Sequence, residues 1–364
     1  MCMAEKTNLL VMFGGASSEH EVSCVSAASV LQHISEEKYN IYKTGITKEG
    51  NWFLTSSPVV NISDGSWEND ENNRRICILP HRGDENILVE NEDGTYEKLR
   101  VDVVFPVLHG KNGEDGTMQG LLQIAGIPFV GSEAAASAAS MDKAVTKAVI
   151  SQHGIVAQAE CCVSSRHTYD ADREREAARI KEFFGGRLPL FVKPANAGSS
   201  VGISKVKSYD DLAAALDTAF AEDRKVLVEE MIEGREIEVA VLGNEEPQAS
   251  CIGEIFAANE FYDYNAKYEN MKSETAIVKD LSEEKEEEIR RAAVGVYEAM
   301  GCRGLARVDF FLEKGGRVVF NEINTLPGFT QISMYPKLWE ECGLSYSDLI
   351  DRLIELALEE AGQW

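Results

Sequence analysis

The spacing of apolar residues near the start of the chain changes from one period to another, and each period predicts an element. LLVMFGG (9–15) is a continuous apolar run that ends in glycine, as in a buried strand followed by a tight turn. The next apolar residues recur near helical spacing: Val22, Val25, Ala28 and Leu31. Ser18 and Glu21 predict a capping box at the start of this helix, which leaves Glu19 to face the strand ends. Strand, turn and helix together indicate an open α/β sheet that binds ligands at the carboxyl ends of its strands.

Further along the chain the pattern predicts another buried strand, several helices and two long loops. VDVVFPVLHG (101–110) is the strand, whereas residues 56–95 are rich in Asn, Asp and Ser and predict a polar surface excursion. Residues 254–278 show little periodicity and predict a long functional loop. The other predicted elements are helices at 132–154, 171–184, 283–300 and 346–361, a strand–loop–strand unit at 187–206, and two strands within 225–243.

Charged residues interrupt two apolar runs near the end of the chain, ARVDFFL and RVVFNEIN. The glycine pair 315–316 between them predicts a two-residue hairpin turn. With that turn, Asp309 lies opposite Glu322 and Arg307 opposite Asn324, and all four side chains share one face. Opposed carboxylates repel each other. A divalent cation relieves the repulsion, and an amide oxygen adds a further ligand suited to Mg²⁺. The alternative is an ion-pair cluster in which Arg307 neutralises both acids.

A lysine at the end of another apolar strand predicts an anion site. Lys193 lies in FVKP, five residues before a Gly-Ser-Ser loop. Burying a lysine without an anion would be costly, and glycine-rich loops hold phosphate with their backbone N–H groups. Lys193 is therefore expected to meet a phosphate. The chain has no G-x-x-x-x-G-K-[ST] segment, which excludes a P-loop, and no G-x-S-x-G around Ser199, which argues against a serine hydrolase.

Composition and charge remove several classes of function. A chain of 364 residues is long enough for two or three domains. The net charge of −25 argues against nucleic acid and anionic membrane surfaces as partners. No apolar stretch approaches the roughly 20 residues of a membrane span, and MCMAEKTNLL lacks the features of a signal peptide. The eight cysteines are scattered without a C-x-x-C pair, as expected for reduced thiols in the cytoplasm.

Five ordered motifs resemble the D-alanine–D-alanine ligases of the ATP-grasp superfamily: HGKNGEDGTMQG, KPANAGSSVG, FYDYNAKY, GLARVDFF and NEINTLPGFT. The resemblance runs from FGGASSEHEVS almost to the C-terminus. It implies an α/β (α+β) fold with a three-domain ATP-grasp architecture. These domains are an N-terminal open α/β substrate domain (1–131), a central ATP-grasp subdomain (132–229) and a C-terminal ATP-grasp subdomain (230–364). The third carries the metal site and the loop 254–278 as a lid, and ATP lies between the two ATP-grasp subdomains.

The resemblance also implies residues for ATP and metal. Three lysines contact the phosphates: Lys143, Lys193 and Lys267. Three residues surround the adenosine, with Glu229 on the adenine amino group, Ile232 offering its backbone and Glu236 on the ribose. Three residues bind two Mg²⁺ ions, for which Mn²⁺ can substitute: Asp309, Glu322 and Asn324.

The implied substrate residues form a second group. Glu19 holds the ammonium of the first D-alanine and is linked through Ser199 to Tyr268. His109 lies beside the carboxylate of that substrate, and Ser333 binds the carboxylate of the second. Arg307 and the backbone of Gly328 stabilise the oxyanion. Met334 stands where ligases that make D-alanyl-D-serine or D-alanyl-D-lactate commonly carry arginine.

The implied activity is ATP-dependent ligation of two D-alanines through an acyl phosphate, for peptidoglycan precursor synthesis, by a homodimer. Two alternatives remain: a D-alanine–D-serine or D-alanine–D-lactate ligase, and a nucleotide-binding module that has lost catalysis. Three residues also have purely structural interpretations. His109 could be a satisfied core histidine, Tyr268 could serve packing, and Glu236 could be an ordinary exposed strand residue.

Overall fold

The computed structural model describes residues 6–83, 87–198, 201–256 and 274–361. Seven strands from the first third of the chain form one sheet: β1 Thr7–Gly14, β2 Tyr39–Ile46, β3 Trp52–Leu54, β4 Arg74–Ile78, β5 Ile87–Glu90, β6 Tyr96–Leu99 and β7 Val103–Pro106. The spatial order is β6-β5-β4-β3-β2-β1-β7. β1 pairs in parallel with β2 and β7, and the remaining pairs are antiparallel. β1 therefore lies next to the edge strand β7 and runs parallel to it.

The other strands form two further sheets: β8 Ala157–Gln158, β9 Cys161–Ser165, β10 Leu190–Pro194, β11 Ser204–Val206, β12 Lys225–Glu230, β13 Gly234–Leu242, β14 Gln248–Phe256, β15 Glu274–Ile277, β16 Leu305–Glu313 and β17 Val318–Asn324. A four-stranded antiparallel sheet has the order β11-β10-β12-β9, and a six-stranded sheet has the order β15-β14-β13-β16-β17-β8. Among the described strands of the six-stranded sheet, β17 and β8 pair in parallel and the other neighbours pair in antiparallel fashion.

Helices cover the sheets: α1 His20–His33, α2 Val59–Ser63, α3 Thr117–Ala125, α4 Ala134–Met141, α5 Lys143–His153, α6 Arg166–Ala171, α7 Arg173–Phe183, α8 Leu212–Glu222, α9 Glu283–Ala299, α10 Met334–Glu341 and α11 Tyr346–Ala361. α7 and α8 pack on the four-stranded sheet, and α9 packs on the six-stranded one. α11 joins α1 in the core of the first sheet. The predicted α/β class is confirmed. Within the described ranges, no helix has the length and apolarity needed to cross a bilayer.

The first helix starts differently from the prediction. α1 begins at His20, so Glu19 occupies the N-cap position without a side-chain cap bond. The predicted capping box of Ser18 and Glu21 is therefore wrong. Glu21 instead forms an ion pair with Lys48. The backbone N–H of Glu19 donates to Ser17 Oγ at 3.2 Å, so a different serine fixes the entry to the helix.

The predicted surface excursion at 56–95 is also wrong, because this segment extends the first sheet. It contains β4 and β5, which continue the sheet in antiparallel fashion beyond β3. The indole of Trp67 is fully buried and packs edge-on against Phe13, with ring centroids 5.1 Å apart. The abundance of Asn, Asp and Ser between these short strands masks their alternation of apolar residues.

This packing predicts that Gly45→Ala destabilises the protein. Gly45 lies in β2, and a methyl group built on it would overlap the buried indole of Trp67. Overpacking of this kind costs roughly 1–3 kcal/mol, and urea unfolding of the variant measures it. In a Trp67→Phe background the penalty of Gly45→Ala is expected to be smaller. An equal penalty in both backgrounds would contradict this packing.

Two further boundaries are corrected. The single helix predicted at 132–154 is broken at Asp142, which caps α5 by accepting the N–H groups of Ala144 and Val145. The ends of the predicted loop 254–278 belong to β14 and β15, which pair from Gly253 with Ile277 to Phe256 with Glu274. Residues 257–273 lie outside the described ranges. The prediction that this loop forms a lid falls on these residues and stays a prediction.

The hairpin near the end of the chain has the predicted pairing but a different turn. Asp309 pairs with Glu322 and Arg307 with Asn324, as predicted, whereas nearer the turn Phe310 pairs with Phe320. The loop therefore has three residues, 314–316, and the predicted two-residue turn is wrong. The extra residue of the turn shifts the register by one, and a β-bulge at 321 shifts it back.

Candidate active site

A cavity lies where the first sheet meets the six-stranded sheet. Its walls come from the start of α1, the segment after β7, the start of α5, the hairpin β16–β17 and the start of α10. Nine residues predicted from the sequence line it: Glu19, His109, Lys143, Arg307, Glu322, Asn324, Gly328, Ser333 and Met334. The structure thus brings together groups that are up to 315 positions apart in the chain.

The Glu19 carboxylate is buried between two glycines. A Cβ atom on Gly110 would lie 2.5 Å from Glu19 Oε2, and one on Gly198 would lie 3.1 Å from it. Any larger residue at Gly110 would collide with the carboxylate. Gly110 also has φ +72°, which glycine adopts most readily. The two glycines therefore let the backbone approach Glu19 closely enough to fix it in the cavity wall.

His109 is hydrogen-bonded through both ring nitrogens. Its Nδ1 lies 3.2 Å from the carbonyl oxygen of Leu326 and 3.7 Å from Glu114 Oε1, and its Nε2 lies 3.0 Å from Ser26 Oγ. A carbonyl oxygen only accepts, so Nδ1 carries the proton and Nε2 accepts from the Ser26 hydroxyl. Burial, reinforced by the charge of Glu19, raises the pKa of Glu114 against the opposing effect of His109. His109 is thus a satisfied buried histidine that also lines the cavity.

Ser26 and Glu114 were missed in the sequence. Ser26 lies on the same face of α1 as Ser23, whose hydroxyl donates to the carbonyl of Val107 and accepts from the N–H of Gly14. Serines three or four positions apart on one helix face could have signalled contact with the strand ends. Glu114 stands within the HGKNGEDG motif itself, where its proximity to His109 was the available signal.

Three carboxylates form a row across the six-stranded sheet. Asp309 on β16 pairs with Glu322 on β17 and, on its other side, with Glu238 on β13. Arg307 Nε lies 2.8 Å from Asp309 Oδ1 and 3.1 Å from Glu238 Oε1, and its Nη2 lies 2.7 Å from Asp309 Oδ2. Glu238 was not predicted, although a glutamate in the buried run IEVAVL is a sign of a charge partner.

The alternative prediction, an ion-pair cluster in which Arg307 neutralises two acids, is therefore confirmed in part. Arg307 and Asp309 are buried, and the carboxylates of Asp309 and Glu238 outweigh the effect of burial and raise the pKa of the guanidinium. Glu322 is more exposed and lies 3.3 Å from Lys143 Nζ. Arg307 thus neutralises Asp309 together with Glu238 instead of Asp309 together with Glu322.

The donor set is compatible with a magnesium ion. Asp309 and Glu322 supply carboxylates on one face, and Asn324 supplies an amide oxygen that accepts the N–H of Leu326 at 3.0 Å. In the part of the chain that the structure describes, no three His, Cys, Asp or Glu side chains converge as a metal cluster. Mg²⁺ commonly uses only one or two carboxylates and completes its shell with water and phosphate oxygens. The assignment of these three residues as metal ligands stays a prediction.

A larger cleft opens between the four-stranded and the six-stranded sheets. Its walls carry apolar side chains, with Phe191 on one sheet and Phe320 on the other. Four residues predicted to bind ATP line it: Lys193, Glu229, Ile232 and Glu236. Apolar walls with a few charged groups are typical of a nucleotide site.

Glu229 lies between two lysines in this cleft. Lys147 Nζ is 2.8 Å from its Oε1, and Lys193 Nζ is 2.7 Å from its Oε2. Burial alone would raise the pKa of Glu229, but the charges of Lys193 and Lys147 prevail and lower it to about 2. For Lys193, burial lowers the pKa, and the carboxylate of Glu229 more than reverses this effect. Lys147 was missed, although it follows Lys143 by four residues and so shares its helix face.

Lys143 lies in the cavity wall between β17 and the loop after β10. It is the first residue of α5, and its ammonium donates to the carbonyl of Ala197 at 2.8 Å and faces Glu322. Its backbone N–H donates to the carbonyl of Ala195 at 3.0 Å, which ties the helix to the loop after β10. Lys143 thus lies beside both the proposed metal ligands and the glycine-rich loop.

The far wall of the cavity contains Gly328, Ser333 and Met334. Ser333 Oγ accepts the N–H of Thr330 at 3.0 Å and stands at the N-cap of α10. Backbone N–H groups at a helix start favour a carboxylate. Met334 is buried, and its sulfur occupies space that a side chain on Gly253 would fill. Ser199, Lys267 and Tyr268 lie outside the described residues.

Two facing sheets around an apolar cleft, with lysines and carboxylates leading into a second cavity, define the chain as an ATP-grasp enzyme, as its structural neighbours are. The family model for the D-ala D-ala ligase N-terminus matches residues 8–132, and that for the D-ala D-ala ligase C-terminus matches residues 149–355. The chain belongs to the D-alanine–D-alanine ligase family.

Individual relatives agree over nearly the full length. The D-alanine–D-alanine ligase of Acetivibrio thermocellus is 49% identical over 98% of this chain and 97% of its own length. The VanG D-Ala:D-Ser ligase from Enterococcus faecalis has a TM-score of 0.86 and 39% identity, covering 97% of this chain and 100% of its own. The D-alanine–D-alanine ligase from Coxiella burnetii has a TM-score of 0.85 and 35% identity, covering 99% of this chain and 96% of its own.

Proposed function

We propose that the protein joins two molecules of D-alanine into D-alanyl-D-alanine and converts ATP to ADP and phosphate. The observation that carries this proposal is the position of Lys143 and Glu322, which lie 3.3 Å apart and line the cavity that contains Glu19 and Arg307. That arrangement suits transfer of a phosphoryl group from the cleft to a small carboxylate in the cavity. Relatives about half identical in sequence bear the name of this activity.

The first half-reaction activates a carboxylate. Glu19 binds the ammonium of the first D-alanine, and an oxygen of the substrate carboxylate attacks the γ-phosphorus of ATP, which gives an acyl phosphate and ADP. Lys143 and Lys193 offset the phosphate charge. Asp309, Glu322 and Asn324 would hold Mg²⁺, which would supply further positive charge at the transferred group.

The second half-reaction forms the peptide bond. The neutral amine of the second D-alanine attacks the acyl carbon, phosphate leaves, and the amine loses its proton. Negative charge develops on the carbonyl oxygen, where the Arg307 guanidinium and the Gly328 N–H stabilise it. Ser333 and the start of α10 bind the carboxylate of the second substrate.

The direct test is incubation with Mg-ATP and a mixture of D-amino acids, followed by mass analysis of the products and assay of ADP. D-alanyl-D-alanine and an equal amount of ADP are expected. ATP binding without phosphate release in the presence of any D-amino acid would instead identify a nucleotide-binding module without catalysis.

Competition between equal concentrations of D-alanine and D-serine tests the second subsite. Met334 presents an apolar wall, which fits a methyl group and offers no hydrogen-bond donor to a hydroxyl. An apolar pocket discriminates against an added hydroxyl by about 100-fold, so D-alanyl-D-alanine is expected to predominate, with minor D-alanyl-D-serine and negligible depsipeptide. A majority of D-alanyl-D-serine would favour the activity named for the Enterococcus faecalis neighbour.

The wider setting follows from this reaction. We assign the dipeptide to peptidoglycan precursor synthesis and the enzyme to the cytoplasm. We further propose a homodimer, which sedimentation of the purified protein would test. The domain division after residues 131 and 229 is proposed on the sheets, because each predicted domain contributes one sheet. The exceptions are β8, which joins the sheet of the third domain, and Glu230, the last residue of β12, which lies just past the second boundary.

A further inference from the structure

We propose that Lys147 is a positioning residue for nucleotide recognition, which holds the Glu229 carboxylate in place and ionised while Lys193 turns to the phosphates of ATP. This inference rests on the proposed function, because it requires that ATP occupies the cleft between the two sheets. It assigns different tasks to two lysines that share one carboxylate in the absence of nucleotide.

The two lysines approach different oxygens of Glu229. Lys147 binds Oε1 and Lys193 binds Oε2, at 2.8 and 2.7 Å. The side chains are almost fully buried, with exposures of 10% for Lys147, 13% for Lys193 and 5% for Glu229. These three side chains carry one negative and two positive charges, and the carboxylates of Glu322 and Glu236 add negative charge near Lys193.

Lys147 belongs to a firmly held element. α5 is capped by Asp142, which also pairs with Lys225, and the helix start is bonded to the carbonyl of Ala195. The carbonyl of Lys147 itself accepts the side chain of Gln158 at 3.1 Å. These contacts fix the point from which the Lys147 side chain reaches Glu229.

Lys193 has a second polar neighbour beside the phosphate side of the cleft. Its ammonium lies 3.4 Å from Oδ1 of Asn321, the bulged residue directly before the proposed metal ligand Glu322. It also lies on the strand that leads into the glycine-rich loop. Lys193 is therefore the partner that can move toward phosphate oxygens.

Exchange of partners at Oε2 would create the adenine contact. When Lys193 leaves, Oε2 is open to the exocyclic amine of adenine, while Lys147 still neutralises the carboxylate through Oε1. An ionised carboxylate accepts from an amine and repels the carbonyl oxygen that guanine has at the same position. Lys147 thereby contributes to the preference for ATP over GTP.

The test compares Lys147→Met with the wild-type enzyme by titration calorimetry with ATP and GTP. In the variant, movement of Lys193 leaves a buried carboxylate without a cation, which is strongly unfavourable. The dissociation constant for ATP is expected to rise by about 100-fold. A protonated Glu229 can donate to guanine, so the constant for GTP is expected to rise less and the ATP preference to fall.

Proton uptake is a readout that a purely structural role would not change. The titratable groups that face Glu229 are Lys147 from α5, Lys193 from β10 and Cys161 from β9. In the wild type, Lys147 keeps the carboxylate ionised in both states, so ATP binding at pH 7 should take up no proton at this site. In Lys147→Met, departure of Lys193 raises the pKa of Glu229, so binding takes up a proton and tightens as the pH falls. Titrations in two buffers of different ionisation enthalpy measure this uptake.

Controls separate the possible outcomes. Lys38→Met removes a lysine from an exposed ion pair with Asp351 and should leave nucleotide binding unchanged. Lys147→Arg retains the charge and should restore much of the ATP affinity. ATP affinity within about 2-fold of wild type in Lys147→Met, or equal losses for ATP and GTP without proton uptake, would overturn the inference. If Lys147→Met fails to fold, Lys147→Gln is measured in its place. A wild-type enzyme that binds no ATP would instead refute the proposed function.

Discussion

Arg307→Met is expected to abolish ligation and to lower the free energy of unfolding by about 4 kcal/mol, because removing one partner of a buried ion pair leaves uncompensated charge. Here two carboxylates would lose their cation. Asp309 and Glu238 are 3% and 2% exposed, and they face each other directly on β16 and β13. The activity should fall by at least 100-fold, since the guanidinium is the proposed donor to the oxyanion. Urea unfolding and a ligation assay measure the two effects.

Two variants separate charge from shape in this cluster. Arg74→Met removes an arginine from an exposed ion pair with Glu97 and should change the stability by less than about 1 kcal/mol. Adding Glu238→Gln to Arg307→Met removes one of the unpaired charges, and should recover part of the lost stability but none of the activity. An Arg307→Met protein as stable as the wild type would show that the two acids do not depend on the guanidinium.

The cluster also illustrates what the sequence could predict. Asp309 opposite Glu322 was predicted from a two-residue turn, and the pairing is correct although the turn is not. A three-residue loop and a one-residue bulge displace the register in opposite directions and cancel. The bulged residue, Asn321, contacts Lys193 on the other sheet. Turn rules use only neighbouring residues, whereas this contact joins two sheets. The bulge could therefore not be predicted from the sequence of the hairpin.

The same limit applies to the charge partners. The periodicity of a strand or helix tells which residues share a face, but it does not tell which element that face meets. The sequence analysis does not predict Glu238 and Lys147 as site residues, because their partners, Arg307 and Glu229, lie 69 and 82 positions away. Glu238 was nevertheless signalled in principle, because a charged residue in a buried strand requires a counterion. Lys147 was signalled by its position four residues after Lys143, on the same helix face. The motif residues were easier to find because the resemblance to the ligase family assigns them residue by residue.

Glu322→Gln is expected to remove ligation almost completely while leaving the stability of the ligand-free protein nearly unchanged. The side chain of Glu322 is 38% exposed and its ion pair with Lys143 is 3.3 Å long. Partly exposed pairs of this kind contribute about 0–1 kcal/mol, and the substitution also reduces repulsion with Asp309 across the strand pair. Loss of a metal ligand should lower the rate of ligation on the order of 1,000-fold, since metal stabilises several kcal/mol of developing charge.

Thermal melts with and without Mg-ATP test this combination. The wild type should melt at a higher temperature when Mg-ATP is present, and Glu322→Gln should lose most of that increase while melting like the wild type without ligand. Glu97→Gln, which alters an exposed glutamate paired with Arg74, is the matched control and should retain both the increase and the activity. A large drop in the melting temperature of ligand-free Glu322→Gln would mean that the carboxylate row serves the fold. The place of Glu322 in the cavity wall, between Lys143 and Asp309, favours the metal role.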